Sequence, residues 1–87
     1  MATVFIPSLM RGITGGQEKV QVAGSTVRQI IDNLEKEFPG IKERLVDKNR
    51  VKSNISVAVD GQVAPLGMLE KVEEDSEVHF LSAISGG

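Results

Sequence analysis

Apolar and polar residues alternate in four short runs of this chain, and such alternation predicts β-strands. The runs cover residues 3–6, 19–22, 55–59 and 77–82. The first run stops at Pro7, which has no N–H to donate to a strand ladder. The residues predicted to face the core are Val4, Ile6, Val20, Val22, Ile55, Val57, Val59, Val78 and Phe80.

This assignment leaves Phe5, His79 and Leu81 on the opposite, open face of the sheet. The first run has only four residues, so the reverse choice, with Phe5 buried and Val4 exposed, also fits its pattern. We favour Val4 inward and Phe5 on the open face.

Between residues 26 and 38 the apolar residues recur at helical spacing and form one stripe. Thr26 with Gln29 three residues later fits a capping box, in which the hydroxyl accepts one free N–H and the amide reaches back to another. Pro39 disfavours helical geometry at the preceding residue and ends the helix there. The stripe consists of Val27, Ile30, Ile31, Leu34 and Phe38.

Glycines mark the turns between these elements. We predict a hairpin turn at Gly15-Gly16 and reject a phosphate-binding loop, because the spacing and the following helix that such a loop needs are missing. Asp60-Gly61 predicts a tight turn with positive φ, followed by a short edge strand at residues 62–63. Residues 40–47 are expected to contain a short second helix with Ile41 and Leu45 inward. We expect Leu66, Leu69 and Val72 to plug the end of the core.

The order strand, strand, helix, short helix, strand, short strand, strand predicts an α+β fold of the β-grasp (ubiquitin-like) type. One main helix would pack across a mixed sheet of four to five strands, with the last strand between earlier ones. The 87 residues suffice for one small domain, and no linker or repeat interrupts them. We therefore predict a single domain over residues 1–87.

Composition excludes several classes of function. The chain has no cysteine, which removes disulfides, zinc–thiolate sites and a cysteine nucleophile. Its net charge of −2 leaves no basic footprint for nucleic acid. No apolar run approaches the roughly 20 residues of a membrane span, and no secretion signal is evident, so we expect a cytoplasmic protein. With a single histidine and no nucleophile–base pair, we expect no catalytic site.

Two charged segments have alternative interpretations. Lys48, Arg50 and Lys52 lie close together, and we favour a solvent-facing loop over a docking site for an acidic partner. Several carboxylates surround the final turn, but without a histidine among them such side chains more often face water, and we expect no metal site. These carboxylates belong to Glu70, Glu73, Glu74, Asp75 and Glu77.

The end of the chain carries the strongest functional signal. Large side chains disappear after Leu81, Ile84 excepted. Ordering a residue's backbone costs about 1–2 kcal/mol, so we predict a flexible tail over residues 82–87. A frayed terminus is one interpretation of it. The other is a reactive carboxylate at Gly87, because Gly86 and Gly87 lack a Cβ and can thread a narrow channel in a partner enzyme.

Several segments together resemble the ubiquitin-like sulfur-carrier family, the ThiS/MoaD family. They are Ile6-Pro7-Ser8-Leu9-Met10-Arg11, Thr14-Gly15-Gly16-Gln17, Pro39-Gly40-Ile41-Lys42-Glu43-Arg44-Leu45, Val59-Asp60-Gly61 and Gly86-Gly87. The resemblance covers essentially the whole chain and, within the family, is strongest to the branch that serves cysteine biosynthesis. It implies a carrier that other proteins act on, and not an enzyme.

The resemblance also implies a reaction sequence. An E1-like adenylating enzyme would activate Gly87 with ATP, and a sulfur donor would then convert it to a thiocarboxylate. A sulfur-accepting enzyme, expected to be a pyridoxal-phosphate cysteine synthase, would take the sulfur, and a metalloprotease would release the cysteine. The carrier itself would bind no cofactor. The activating enzyme would read Gly86, Ser85 and Ile84, and the partner surface would comprise Phe5, His79 and Leu81.

Other functions remain open at this point. The sulfur could serve the thiamine or the molybdopterin pathway. A lysine amine could attack the same adenylate, which would make the chain a protein modifier that forms isopeptide bonds. A plain interaction module with incidental glycines is the third alternative. In each case we expect a monomer when the protein is free.

Overall fold

The computed structural model describes residues 1–82. No helix within that range is long and apolar enough to cross a membrane. The strands are β1 (Ala2–Phe5), β2 (Lys19–Val22), β3 (Val46–Asp47), β4 (Arg50–Val51), β5 (Ile55–Val59), β6 (Gln62–Val63) and β7 (Glu77–Ser82). The helices are α1 (Val27–Glu37) and α2 (Ile41–Leu45), and single 3-10 turns lie at Ser8–Met10 and Gly67–Leu69.

Five strands form one mixed sheet in the order β2-β1-β7-β5-β6. The strands β1 and β2 form one antiparallel hairpin, and β5 and β6 form another. The strand β7 lies between them, parallel to β1 and antiparallel to β5. The predicted β-grasp fold, a mixed sheet with one main helix packed across it, is therefore confirmed.

The core lies between one face of the sheet and the apolar stripe of α1. Val4 is fully buried and Phe5 half-buried, so Val4 points inward, as we favoured. The inward residues of β2 and β7 are buried as predicted, whereas Val59 of β5 is only half-buried. The stripe of α1 is buried except for Phe38, which packs half-exposed at its end.

The N-terminus of α1 is capped differently from the predicted capping box. Thr26 Oγ1 accepts a hydrogen bond of 3.2 Å from Gln29 N, as expected. The Gln29 side chain does not reach the Thr26 N–H, however, and its Oε1 accepts from Ser25 N at 2.8 Å. The amide side chain therefore satisfies a donor one residue before the capping position.

The short helix α2 is tied to α1 by a carboxylate. Glu35 accepts hydrogen bonds from Gly40 N at 3.1 Å and from Lys42 N at 2.9 Å. These bonds, with the Lys42 bond as the larger cause, lower the pKa of Glu35. Gly40 has a φ of +103°, which glycine adopts readily, and this lets the chain reverse between the two helices.

A hairpin, rather than the predicted loop, carries the basic segment around Arg50. The strands β3 and β4 pair antiparallel, with Asp47 opposite Arg50. Lys48 and Asn49 connect them with φ values of +52° and +64°, as in a type I′ turn. The sequence did not predict this turn, because lysine rarely adopts a positive φ.

The prediction that Leu66 and Leu69 plug the core is wrong. Both are largely exposed, while Met68 between them is buried, and Val72 is buried as predicted. Successive tight turns over residues 64–70, with Gly67 at a φ of +56°, bury Met68 and leave Leu66 and Leu69 exposed. Three-residue apolar spacing in such turns does not reveal which side chain points inward.

Candidate functional site

The central strand β7 leads directly to the segment in which the reactive terminus was predicted. Val78 and His79 pair with β1 on one side and with β5 on the other. Beyond His79 only β5 continues beside the strand, with Leu81 opposite Ser56 and Ser82 opposite Ile55. Ladders on both sides thus hold β7 as far as His79, and the β5 ladder alone holds it from there to Ser82. Ser82, the first residue of the predicted tail, belongs to β7, and the other tail residues, 83–87, lie outside the described residues.

Phe5 and His79 form an aromatic stack on the outer face of the sheet, the face away from α1. The parallel register of β1 and β7 places them side by side. Their ring centroids lie 4.0 Å apart and the ring planes differ by 6°. His79 Nε2 also lies 3.7 Å from Glu77 Oε1 on the same strand. The histidine is therefore part of a packed pair rather than a lone exposed side chain.

Leu81 extends this outer face towards the end of β7. It is 52% exposed and lies two residues after His79, so both side chains point to the same side. The structure thus brings Phe5, His79 and Leu81 together on one face, as the strand pattern predicted. Their role as a partner surface stays a prediction.

Two cationic side chains beside Phe5 were not predicted from the sequence. Lys19 stands opposite Phe5 in the antiparallel register, and its Nζ lies 5.9 Å from the centre of the Phe5 ring. Arg11 and Lys19 also line a depression of about 330 Å³ next to that ring. The pairing of β1 with β2 could have indicated Lys19, but the hairpin register depends on the intervening loop, which the sequence does not fix.

The loop between β1 and β2 is anchored by a buried threonine. Thr14 Oγ1 lies 3.1 Å from Arg11 O and 2.9 Å from Gln17 O, and it donates its single proton to either carbonyl. Because β1 and β7 run parallel, this loop begins at the same end of the sheet at which the chain leaves Ser82. The loop that carries part of the family resemblance therefore begins at the same end of the sheet as the predicted tail.

A second polar network fixes the other end of β7. Asp60 Oδ1 accepts a hydrogen bond of 2.9 Å from Glu77 N, and its Oδ2 accepts one of 2.8 Å from Ser76 Oγ. The bond from Glu77 N, followed by that from Ser76, lowers the pKa of Asp60. Asp60 thus links the turn between β5 and β6 to the first residue of β7.

This arrangement is suited to binding rather than to chemistry. Its central feature is an aromatic pair with flanking cations, on a sheet whose middle strand is paired on both sides. Within residues 1–82, no three histidine, aspartate or glutamate side chains lie close enough together to bind a metal ion. The described part of the site thus presents a surface and positions the chain where it leaves Ser82.

Comparison with known proteins gives consistent results. The ThiS family profile matches residues 4–87. The sulfur carrier protein CysO of Mycobacterium tuberculosis is 31% identical over 90 residues, which cover 98% of this chain and 97% of that protein. The CysO of the Amycolatopsis orientalis BexX/CysO complex superimposes with a TM-score of 0.93 at 34% identity, covering 100% of both chains. The crystal structure of M. tuberculosis CysO gives a TM-score of 0.88 at 29% identity, covering 95% of this chain and 99% of that one.

Proposed function

Because this chain belongs to the ThiS family, we propose that it carries sulfur as a thiocarboxylate on Gly87 and donates it in cysteine biosynthesis. It is a carrier protein that partner enzymes act on, and not an enzyme. The observation that carries the proposal is the similarity to the sulfur carrier CysO along nearly the whole length of both chains. The two glycines at positions 86 and 87 supply the backbone that such a role requires.

The proposed chemistry begins with an adenylating enzyme that binds ATP. A Gly87 carboxylate oxygen attacks the α-phosphorus of ATP, pyrophosphate leaves, and an acyl-adenylate forms. Sulfide then attacks the carbonyl carbon and AMP leaves. The product is a thiocarboxylate whose sulfur is the nucleophile for the next enzyme. On this proposal the ATP belongs to the partner, and the carrier binds no cofactor of its own.

The fold supports this proposal by holding the strand that leads towards Gly87 in a fixed position. Two ladders hold β7 up to His79, and one ladder holds it up to Ser82. Close to the end of β7 lie the outer-face side chains of Phe5, His79 and Leu81. A partner that docks on them would receive the segment after Ser82 from a defined position, which reduces the entropy lost when Gly87 is aligned with ATP.

We further propose that the outer face docks the adenylating enzyme in the cytoplasm. The solved BexX/CysO complex is one in which a CysO protein is bound to another protein. An exposed leucine beside a rigid aromatic pair provides anchors of the kind that dominate protein interfaces. The sulfur acceptor would be a pyridoxal-phosphate cysteine synthase, and a metalloprotease would then release the cysteine. The similarity to CysO favours this route over the thiamine and molybdopterin routes and over protein modification.

The decisive experiment follows the mass of the intact protein. The purified chain is incubated with an adenylating enzyme of CysO-containing bacteria, ATP and sulfide. We expect the mass increase that corresponds to one oxygen replaced by one sulfur. Addition of the cysteine synthase and its substrate should then give a cysteine adduct on Gly87.

Two variants serve as controls for this experiment. Deletion of Gly87 moves the carboxylate away from ATP, and Gly86→Val adds bulk where the channel must admit bare backbone. Both should abolish the mass change and leave the thermal unfolding curve unaltered. Adenylation of the deletion variant at the normal rate would contradict the proposal. Turnover only with a molybdopterin precursor, or isopeptide links to lysines, would assign the chain to one of the other functions.

A further inference from the structure

A groove beside the turn that packs against α1 is bordered by two exposed leucines. It lies between the β3–β4 hairpin and the turns that precede Glu70, and has a volume of about 410 Å³. Leu66 and Leu69 are 63% and 68% exposed. Val51 and Met68 complete its apolar lining.

The local backbone places both leucines on the same groove. A hydrogen bond of 3.1 Å from Leu69 N to Leu66 O closes the turn, so their Cα atoms lie within about 7 Å of each other. Buried Met68 anchors the turn between them. In the free protein these leucines leave apolar surface in contact with water, which is unfavourable. A bound partner that buried this surface would gain that free energy.

The rim of the groove is positively charged although the chain as a whole carries a net charge of −2. Arg50 lines the groove, and Lys48 and Lys52 are the chain neighbours of its lining residues Asn49 and Val51. None of the three forms an ion pair within residues 1–82. Asp47, opposite Arg50, offsets one of the three charges. The Glu70 carboxylate accepts a hydrogen bond from Leu66 N, so it is engaged with the turn.

We infer that this groove docks a segment of a partner protein in which apolar side chains are interspersed with aspartate or glutamate. Apolar side chains would cover Leu66 and Leu69, and the carboxylates would face Lys48 and Arg50. This site is separate from the outer face of the sheet and does not depend on Gly87. It would let a second partner bind while the outer face is occupied.

Charge argues against the two other occupants. A twofold contact between two copies of this chain would bring Lys48 and Arg50 close to their own symmetry mates, and like charges would repel. An anionic lipid surface is broad and flat, and it would also meet the carboxylates of Glu70, Glu73 and Glu74 that follow the leucines. A narrow peptide segment need not reach Glu73 and Glu74, and the Glu70 carboxylate is already engaged with Leu66 N at 3.3 Å.

The test is a titration of the ¹⁵N-labelled full chain with a short synthetic peptide that alternates leucine and aspartate. We expect saturable shifts of the amides of Val51, Gly67, Met68 and Leu69, with binding weakened several-fold when salt rises from about 0.1 M to about 1 M. Matched peptides with serine for leucine, or lysine for aspartate, should not bind. Equal binding of the lysine peptide, or no saturable shift in the groove, overturns the inference.

Variants of the chain test the same contacts by changing the protein instead of the peptide. Leu66→Ser with Leu69→Ser, and separately Lys48→Glu with Arg50→Glu, should each weaken peptide binding by about tenfold or more. These side chains are exposed, so thermal unfolding should change little. Val63→Ser and Lys36→Glu, matched changes at exposed residues that do not line the groove, should leave affinity unchanged. If the groove variants bind as well as the parent chain, the inference fails.

Three further measurements identify a wrong occupant. Sedimentation with phosphatidylserine vesicles that is abolished by the Lys48 and Arg50 changes would assign the groove to a membrane. A dimer in equilibrium sedimentation that the leucine changes dissociate would assign it to a second copy. Tighter peptide binding after deletion of residues 83–87 would assign it to the chain's own end. Each of these results overturns the acidic-segment proposal, and monomeric behaviour without vesicle binding or a deletion effect supports it.

Discussion

At the scale of single residues, the Asp60 side chain accepts two hydrogen bonds that hold the start of β7. It occupies a turn position with a φ of +52°, and both of its carboxylate oxygens accept hydrogen bonds from the start of the last strand. Ser76 extends the network, since its hydroxyl oxygen accepts from Glu73 N at 2.9 Å. One carboxylate therefore connects two turns that are 16 residues apart in the chain.

We predict that Asp60 makes folding stability depend on pH. Its pKa is lower in the folded chain than in the unfolded chain. Its contribution is therefore complete above the ordinary aspartate pKa of about 3.9, and is lost as the pH falls from there towards the lowered value. Asp60→Asn keeps the shape and tolerates the positive φ, but loses an acceptor and the charge.

Thermal unfolding measured across the acid range tests this prediction. The asparagine variant should melt at a lower temperature than the parent at neutral pH, and its melting temperature should fall less steeply below about pH 4. Glu35, whose pKa is also lowered, should preserve part of the acid dependence in that variant. Identical pH profiles of the two proteins would show that the Asp60 network contributes nothing to stability.

At the scale of elements, the alternation of β1 places two neighbouring residues on opposite faces of the sheet. Val4 is buried against α1, whereas Phe5 lies on the outer face and stacks on His79. Val4→Ser should destabilise the fold by about 3 kcal/mol, because it creates a cavity and buries a hydroxyl. Phe5→Ser should cost only about 1 kcal/mol through the lost stack.

Binding to the adenylating enzyme should show the opposite order. Phe5→Ser and Leu81→Ser are expected to weaken it about tenfold or more, because both remove anchors of the proposed docking surface. Chemical denaturation and a titration with the enzyme measure the two effects separately. Severe unfolding of Phe5→Ser, or unaltered enzyme binding by both variants, would contradict the proposed use of this face.

Some elements could be predicted from sequence alone and others could not, for physical reasons. Strong alternation predicted β2 and β7 with their inward residues, and Asp60-Gly61 predicted a turn that adopts the expected positive φ. The β3–β4 hairpin was missed because lysine and asparagine, rather than glycine, occupy its turn. The exposure of Leu66 and Leu69 depends on a chain of tight turns whose direction no periodicity reveals.

The candidate site shows the same division. The strand pattern placed Phe5, His79 and Leu81 on one face, because that requires only the alternation within each strand. The stack of Phe5 on His79 required the register between two strands from opposite ends of the chain. The contact of Lys19 with the Phe5 ring required the register of a hairpin with a long loop. Contacts between strands depend on tertiary structure, and local pattern does not encode them.

At the scale of the whole molecule, the sheet depends on its last described strand. Without β7, the β1–β2 hairpin and the β5–β6 hairpin have no direct contact in the sheet order. Val78 and Phe80 would also be missing from the core. An isolated two-stranded hairpin is marginally stable at best, so the remaining strands cannot form a sheet by themselves.

We therefore predict that a chain ending at Ser76 does not fold, whereas deletion of Gly87 alone leaves cooperative unfolding intact. Far-ultraviolet circular dichroism and the dispersion of amide signals in NMR spectra distinguish these outcomes. A cooperative thermal transition in the chain that ends at Ser76 would show that α1 and the two hairpins form a core without β7.

The pairing of β7 on both sides also determines how the carrier responds to force. An enzyme that grips the residues after Ser82 while it holds the outer face would pull along the axis of β7. Ladder hydrogen bonds run across the strand, so such a pull loads the bonds to β1 and β5 in shear, and they must break together rather than one after another. We therefore expect the domain to resist unfolding when it is pulled by the residues after Ser82.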